Sequence, residues 1–128
     1  MTGNIRFDFF RLSAKYRIIL FIYIVGFMVG VTTHSIDLIK GGFLPYDHVS
    51  LWKNIYWTSL TLLDFAICII LMLKIKWGLI LANLIMISDV LINTSLLSLF
   101  NGYKIAMQIT FCLFVMITTP LIFYDLRR

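Results

Sequence analysis

Charged residues are scarce in this chain of 128 residues, and glutamate is absent altogether. Only 13% of the residues are charged and 61% are hydrophobic, whereas soluble domains are about 25% charged and about 45–50% apolar. The composition excludes an ordinary soluble domain and indicates an integral membrane protein. The two cysteines, Cys68 and Cys112, fall inside apolar runs. We therefore expect small buried thiols rather than a disulfide or a metal site.

Sequence motifs for nucleotide and acyl-transfer chemistry are also missing. The chain has no phosphate-binding loop, no dinucleotide fingerprint and no nucleophile constellation, which argues against a hydrolase or a nucleotide-dependent enzyme. No cofactor is expected.

Long hydrophobic runs are what the chain has instead. Four of them cover roughly residues 18–38, 55–73, 77–99 and 104–124. Each is close to the ~20 residues that a helix needs to cross about 30 Å of hydrocarbon. None alternates as a barrel strand would. We predict a single transmembrane domain over residues 1–128, an all-α integral membrane bundle of four helices.

Positive charge is distributed unevenly over the predicted connections. Eight of the 11 Lys and Arg residues lie in the lead 1–17, in the turn 74–76 and at the C-terminus, and the other three are Lys40, Lys53 and Lys104. Because cytoplasmic segments are enriched in Lys and Arg, we expect both termini in the cytoplasm. The same placement accounts for the net charge of +5 without nucleic acid, which is not an expected partner.

Two aspartates lie near the middle of two of these runs. Asp64 is 11 residues before Ile75, the centre of the predicted turn, and Asp89 is 14 residues after it. At 1.5 Å per residue, their depths differ by only about 4–5 Å. A carboxyl group near the bilayer centre costs roughly 2.5–3.5 kcal/mol even on the lenient insertion scale. Both aspartates are therefore expected to face the bundle interior, where they cannot both ionise cheaply.

Other polar residues follow the aspartates at helical spacing. Thr61 lies three residues before Asp64, with Trp57 one turn farther out, and Asn93 lies four residues after Asp89. Residues three or four apart share a helix face. Such a stripe can form a site, or it can simply hold helices together by hydrogen bonds worth roughly 0.6–2 kcal/mol each.

The first run carries two further patterns. His34 and Asp37 share a face near its outer end, either as a polar helix end or as a pair at the mouth of a cavity. Gly26 and Gly30 form a GxxxG motif, which permits close helix contact within the bundle or between copies.

The order of these residues resembles the emopamil-binding protein family, the EXPERA domain. The resemblance spans about residues 18–124 and rests on Asp37, then Trp57, Ser59 and Asp64, then Trp77, Ser88 and Asp89. It implies four helices, cytoplasmic termini and an acidic pair in a lipid-accessible pocket. Asp37 and Asp64 match the paired acidic positions, with Asp64 standing where glutamate is usual. Family members include sterol isomerases, ligand-binding receptors and proteins without known catalysis.

Three functions remain open at this point. The favoured one is binding of a lipid-like or other apolar ligand in an intramembrane pocket with acidic anchors. The alternatives are a non-enzymatic accessory, assembly or immunity-type protein, and a proton-coupled carrier that works as an oligomer. Catalysis is not favoured and no catalytic residue is assigned; an enzyme would be a membrane isomerase acting on a sterol-like or lipid substrate.

The expected site and partners follow from the favoured function. Partners would be membrane lipids, an apolar small molecule, and a second copy or a partner membrane protein; the plasma or inner membrane is the favoured location. The candidate ligand-binding residues are Asp37, Asp64, Asp89, His34, Trp57, Ser59, Thr61 and Asn93.

Overall fold

The computed structural model describes residues 8–95 and 102–128, and this part of the chain is all-helical. A short 3-10 turn, Asp8–Arg11, precedes four helices: α1 (Ala14–Gly41), α2 (Leu51–Leu73), α3 (Ile75–Thr94) and α4 (Gly102–Asp125). Each of the four is long and apolar enough to cross a membrane. The prediction of an all-α fold with four helices able to cross a membrane is confirmed for this part of the chain.

The helices extend beyond the predicted hydrophobic runs. α1 begins at Ala14 rather than at residue 18, and α2 begins at Leu51 rather than at residue 55. Hydrophobicity marks only the part of a helix in hydrocarbon, and the backbone continues as helix through the polar interface. Residues 1–7 of the basic lead and residues 96–99 of the third run lie outside the described residues.

The connection between α2 and α3 is shorter than the predicted turn. Lys74 alone joins the two helices, and Ile75 is already the first residue of α3 and fully buried. The helices also approach closely, because a Cβ on Gly78 would lie 2.7 Å from the Cα of Leu71. Burial of the apolar Ile75 side chain favours this tight hairpin over an exposed three-residue turn.

The helices pack in a ring in chain order, and α1 and α4 close the ring at one end. We call the half that holds the C-terminus and the α2–α3 connection the terminal half, and the half that holds residues 42–50 the loop half. In the terminal half, the Tyr23 hydroxyl donates to the Val115 carbonyl (2.7 Å) and lies 2.7 Å from the Thr118 hydroxyl. Near the helix ends, the Ser13 amide donates to the Asp125 carboxylate (2.9 Å). These bonds fasten α1 to α4.

The outer surface of the bundle is apolar. Large hydrophobic side chains on every helix are exposed, among them Ile39, Leu62, Trp77, Leu91 and Ile117. A soluble protein rarely exposes so much contiguous apolar surface, whereas hydrocarbon is a suitable solvent for it. The buried residues therefore form only a narrow core along the bundle axis.

Candidate ligand-binding site

A cavity of about 520 Å³ lies between the helices in the loop half of the bundle. All four helices contribute to its lining, and Tyr46 of the 42–50 loop contributes as well. Phe27, Met86 and Phe111 lie at the end nearer the termini. The volume falls within the roughly 300–1,000 Å³ of small-molecule sites, and mixed apolar and polar walls suit an amphiphile.

Six of the eight candidate residues line this cavity: His34, Asp37, Trp57, Asp64, Asp89 and Asn93. Ser59 and Thr61 are not among the lining residues. The stripe of α2 that faces the cavity runs through Leu60, and these two residues lie about 100° to either side of it. The Ser59 hydroxyl donates to the Tyr56 carbonyl of its own helix (2.6 Å). The Thr61 hydroxyl oxygen is buried and has no hydrogen-bond partner within the described residues.

Asp64 is the least satisfied polar group of the site. Its side chain lines the cavity and the residue is only 6% exposed. Its carboxyl group makes no hydrogen bond and no ion pair with residues 8–95 or 102–128. Gly30 of α1 lies directly against it, because a Cβ added to Gly30 would overlap Asp64 Oδ2. The carboxyl group faces the cavity and is not bonded to a neighbouring helix, so it is suited to receive a hydrogen bond from a ligand.

Asp89, by contrast, belongs to a hydrogen-bond network that joins three helices. The Asn93 amide donates to Asp89 Oδ1 (3.2 Å) and to Gln108 Oε1 on α4 (2.8 Å). The Trp57 indole N–H of α2 donates to Asn93 Oδ1 (2.9 Å). Both sides of the Asn93 amide are engaged, which fixes its orientation. The network holds the walls of the cavity in place.

At the loop end of the cavity, Tyr46 connects the two polar residues of α1. Its hydroxyl donates to Asp37 Oδ2 (2.7 Å) and lies 3.0 Å from His34 Nδ1. Because the single hydroxyl proton points to Asp37, His34 Nδ1 must carry a hydrogen and donate to Tyr46. Burial, and then the hydrogen bond to Asp37, raise the pKa of the Tyr46 hydroxyl well above its ordinary value. The hydroxyl therefore stays protonated and keeps donating at physiological pH.

The loop itself is held over the bundle by Asn54. The Tyr46 backbone N–H donates to Asn54 Oδ1 (3.1 Å), and Asn54 Nδ2 donates to the Leu44 carbonyl (3.0 Å). The Tyr46 ring meets the Trp57 ring edge to face, with centroids 5.2 Å apart. Tyr46 thereby covers the loop end of the cavity.

The cavity opens sideways between α1 and α4. Val29 and Thr33 of α1, and Lys104 and Met107 of α4, line the cavity and are also exposed. Residues that touch both the cavity and the exterior form its mouth. Within the described residues, the hydrogen bonds of α1 with α4 described above lie in the terminal half, away from this opening.

The terminal end of this opening is marked by an aromatic contact. A Cβ on Gly26 would overlap the ring of Phe111, and the Phe111 ring also meets Phe27 with centroids 5.6 Å apart. Gly26 and Gly30 thus both face the bundle interior, where they permit close approach of Phe111 and Asp64. Of the two roles open to the GxxxG motif, the structure supports contact within the bundle.

Comparison of the chain with protein-family models, with curated proteins and with solved structures finds no match. The resemblance to the emopamil-binding protein family therefore rests on the residues that suggested it. Among the described residues, no group of three or more His, Cys or Asp side chains is arranged to hold a metal ion.

Sequence reasoning missed several residues of the cavity. Lys104, Gln108 and Phe111 line it from α4, and their spacing of four and three residues is a signal of one helix face. The sequence of the fourth hydrophobic run, residues 104–124, therefore already indicated that these three residues share a helix face. Tyr46 offered no comparable signal, because its place at the site depends on the path of the loop.

Proposed function

We propose that this protein binds a lipid-like amphiphile inside the membrane. A polar group of the ligand would hydrogen bond to Asp64, and its apolar part would contact side chains such as Leu60, Met86 and Phe111. The observation that carries the proposal is the buried Asp64 carboxyl group, which borders a cavity of about 520 Å³ and lacks a hydrogen-bond partner in the described parts of the chain.

A purely structural role fits Asp64 poorly. Polar residues that hold membrane helices together do so by bonding to a neighbouring helix, as Asn93 does to Gln108 (2.8 Å) and Tyr23 to Val115 (2.7 Å). Asp64 makes no such bond to the described residues. A membrane-buried carboxyl group is retained at a considerable cost, and binding a ligand that donates to it would offset that cost.

Binding is proposed rather than catalysis because the other two acidic side chains that line the cavity, Asp37 and Asp89, are already hydrogen bonded within the described residues. An isomerase would need a proton donor and a proton acceptor positioned on opposite sides of a double bond. Asp89 is the second acid of the same cavity, and it is engaged by Asn93 (3.2 Å). His34 Nδ1 and Asp37 Oδ2 are both hydrogen bonded to the Tyr46 hydroxyl.

The test compares two aspartate variants of the full chain. Wild type, Asp64→Leu and Asp47→Leu are purified in a mild detergent, and bound amphiphiles are identified by native mass spectrometry and solvent extraction. Asp47 is the matched control because its side chain is 97% exposed in the loop. Loss of the hydrogen-bond acceptor should lower retention about tenfold in Asp64→Leu, with no change in Asp47→Leu.

Two results would contradict the proposal. One is a wild-type protein that retains no amphiphile. The other is equal retention by wild type and Asp64→Leu, which would mean that the carboxyl group takes no part in binding. Either outcome would favour the accessory-protein alternative.

We also propose an orientation, with both termini in the cytoplasm and the 42–50 loop outside, in a plasma or inner membrane. Support comes from the 11 Lys and Arg residues, since the three that belong to the loop side are Lys40, Lys53 and Lys104. A C-terminal fusion to green fluorescent protein should fluoresce, and a C-terminal alkaline phosphatase fusion should be inactive. The reverse pattern would refute the orientation.

A further inference from the structure

Lys104 is the one lysine or arginine side chain among the described residues that line the cavity. It is exposed at the mouth between α1 and α4, and it forms no salt bridge within the described residues. It also lies in the first turn of α4, which begins at Gly102. A helix N-terminus carries a partial positive charge, so this side of the mouth favours an anion.

Lys104 and Asp64 lie at different depths of the same cavity. Gly30 contacts Asp64, and Gly26, four residues away on α1, contacts Phe111. Seven residues separate Phe111 from Lys104 on α4. At 1.5 Å per residue, the Lys104 backbone is about 5 Å farther toward the loop end than the Asp64 level. A molecule in the cavity can therefore meet a carboxyl group inside and an ammonium group at the mouth.

We propose that the ligand is a phospholipid of the surrounding bilayer whose headgroup carries a hydrogen-bond donor. Its phosphate would lie at Lys104, and the donor, a few bonds beyond the phosphate, would lie at Asp64. This inference rests on the proposed function and specifies the ligand of that same site. The shared chemistry is a phosphodiester with a terminal ammonium or hydroxyl group, as in phosphatidylethanolamine and phosphatidylglycerol.

The position of the opening explains why the source is the bilayer. Val29 and Met107, which border the mouth, are more than half exposed on helices that are apolar enough to span the membrane. The acyl chains can remain among lipids along these apolar faces while the headgroup turns inward. Charge complementarity selects the headgroup, because Lys104 favours an anionic group of the ligand and Asp64 favours a hydrogen-bond donor.

The experiment measures lipid occupancy of the purified full chain by native mass spectrometry, with four lipids of identical acyl chains added singly. Phosphatidylglycerol and diacylglycerol both carry a hydroxyl donor but differ in the phosphate. Phosphatidylethanolamine and phosphatidylcholine both carry phosphate, but the quaternary nitrogen of choline has no hydrogen to donate. We expect phosphatidylglycerol to exceed diacylglycerol about fivefold, and phosphatidylethanolamine to exceed phosphatidylcholine about tenfold.

Two variants test which residue causes each of these lipid preferences. Lys104→Gln should bring phosphatidylglycerol down to the occupancy of diacylglycerol and leave diacylglycerol unchanged. Lys53→Gln is the matched control, because Lys53 lies at the same end of the bundle against the Trp52 ring and is not among the cavity residues. Asp64→Leu, which has no hydrogen-bond acceptor, should abolish the preference for phosphatidylethanolamine over phosphatidylcholine.

The outcomes separate this inference from the proposed function. If amphiphiles are retained in an Asp64-dependent way but without regard to phosphate or donor, this inference is wrong and the proposed function stands. Equal effects of Lys104→Gln and Lys53→Gln would mean that Lys104 acts only as an interfacial lysine, and would overturn the inference too. Retention of no lipid or other amphiphile would refute both.

Discussion

Asp64 and Tyr23 are both buried polar side chains in membrane helices, but they differ in their hydrogen bonds to neighbouring helices. The Tyr23 hydroxyl bonds to the Val115 carbonyl and lies beside the Thr118 hydroxyl of α4, whereas Asp64 borders a cavity. The Tyr23 hydroxyl stabilises the packing of α1 on α4, whereas burying the Asp64 carboxyl group lowers the stability of the bundle. The two residues should therefore respond to substitution in opposite directions.

Replacing Asp64 by leucine should stabilise the protein. Leucine is similar in size and removes an uncompensated polar group, a change that is often worth about 1–4 kcal/mol when buried ionic groups are replaced. We expect a higher melting temperature than wild type in thermal unfolding of delipidated protein in detergent. A lower melting temperature would show that the carboxyl group has a structural partner.

Replacing Tyr23 by phenylalanine should destabilise the protein. The Tyr23 side chain is fully buried, and phenylalanine lacks the hydroxyl that contacts the Thr118 hydroxyl. The expected cost is about 1–2 kcal/mol of unfolding free energy, measured by the same thermal unfolding. Tyr124→Phe is the control, because Tyr124 is 63% exposed, and it should change little.

At the level of helices, α1 is shaped by two glycines that face inward. Gly30 lies against the Asp64 carboxyl group and Gly26 lies against the Phe111 ring. Alanine is favoured over glycine within a helix by about 1 kcal/mol, so only a steric conflict can make the exchange unfavourable. Alanine substitutions at these positions therefore separate the effect of packing on stability from the effect of helix propensity.

Gly26→Ala should lower the melting temperature, because the new methyl group overlaps three atoms of the Phe111 ring, which packs against Phe27 and Phe114, and overpacking typically costs about 1–3 kcal/mol. Gly30→Ala should cost less, because the Asp64 carboxyl group is the end of a side chain and can turn into the cavity. Gly102→Ala, where nothing lies within 4 Å, serves as control. A melting temperature of Gly26→Ala no lower than that of Gly30→Ala would contradict this prediction.

Asn54 of α2 holds the backbone of the loop over the cavity by two hydrogen bonds. Asn54 accepts from the Tyr46 backbone and donates to the Leu44 carbonyl. Asn54→Ala should release both bonds and speed amide hydrogen exchange in residues 42–50, because these amides lose their anchor. Lys53→Ala changes the neighbouring residue and should leave the exchange rates as in wild type. Equal rates in wild type and Asn54→Ala would show that the loop is held by other contacts.

At the scale of the whole bundle, the described residues form a ring of four helices, with hydrogen bonds from α1 to α4 in one half and an opening at the side in the other. The terminal half holds the bonds from α1 to α4, and the loop half holds the cavity. A ligand that fills the cavity binds only the folded bundle. Its binding should therefore appear in the stability of the whole protein.

Adding lipid should raise the melting temperature of delipidated wild type, by a free energy of about 2.7 kcal/mol when free lipid is 100-fold above its dissociation constant. Asp64→Leu, although more stable at the start, should gain much less from the same addition. The measurement is thermal unfolding at a series of lipid concentrations. Parallel gains in both proteins would indicate general solvation by lipid rather than binding at the cavity.

The sequence by itself determined four apolar helices and the burial of Asp64 and Asp89. Hydrocarbon imposes both results, since it requires every backbone polar group to be bonded within the helix and makes an exposed carboxyl group costly. Helical spacing also placed His34 and Asp37 on one face. These properties depend on the chain and its solvent, and hardly on which helices are neighbours.

Only the tertiary structure decided which of these groups meet. It places Leu60 rather than Ser59 or Thr61 at the cavity, brings Tyr46 back over the α1 pair, and leaves Lys104 at a mouth between α1 and α4. Each depends on how far one helix is rotated and where it separates from its neighbour. Side-chain packing over many residues sets that geometry, and local sequence does not encode it.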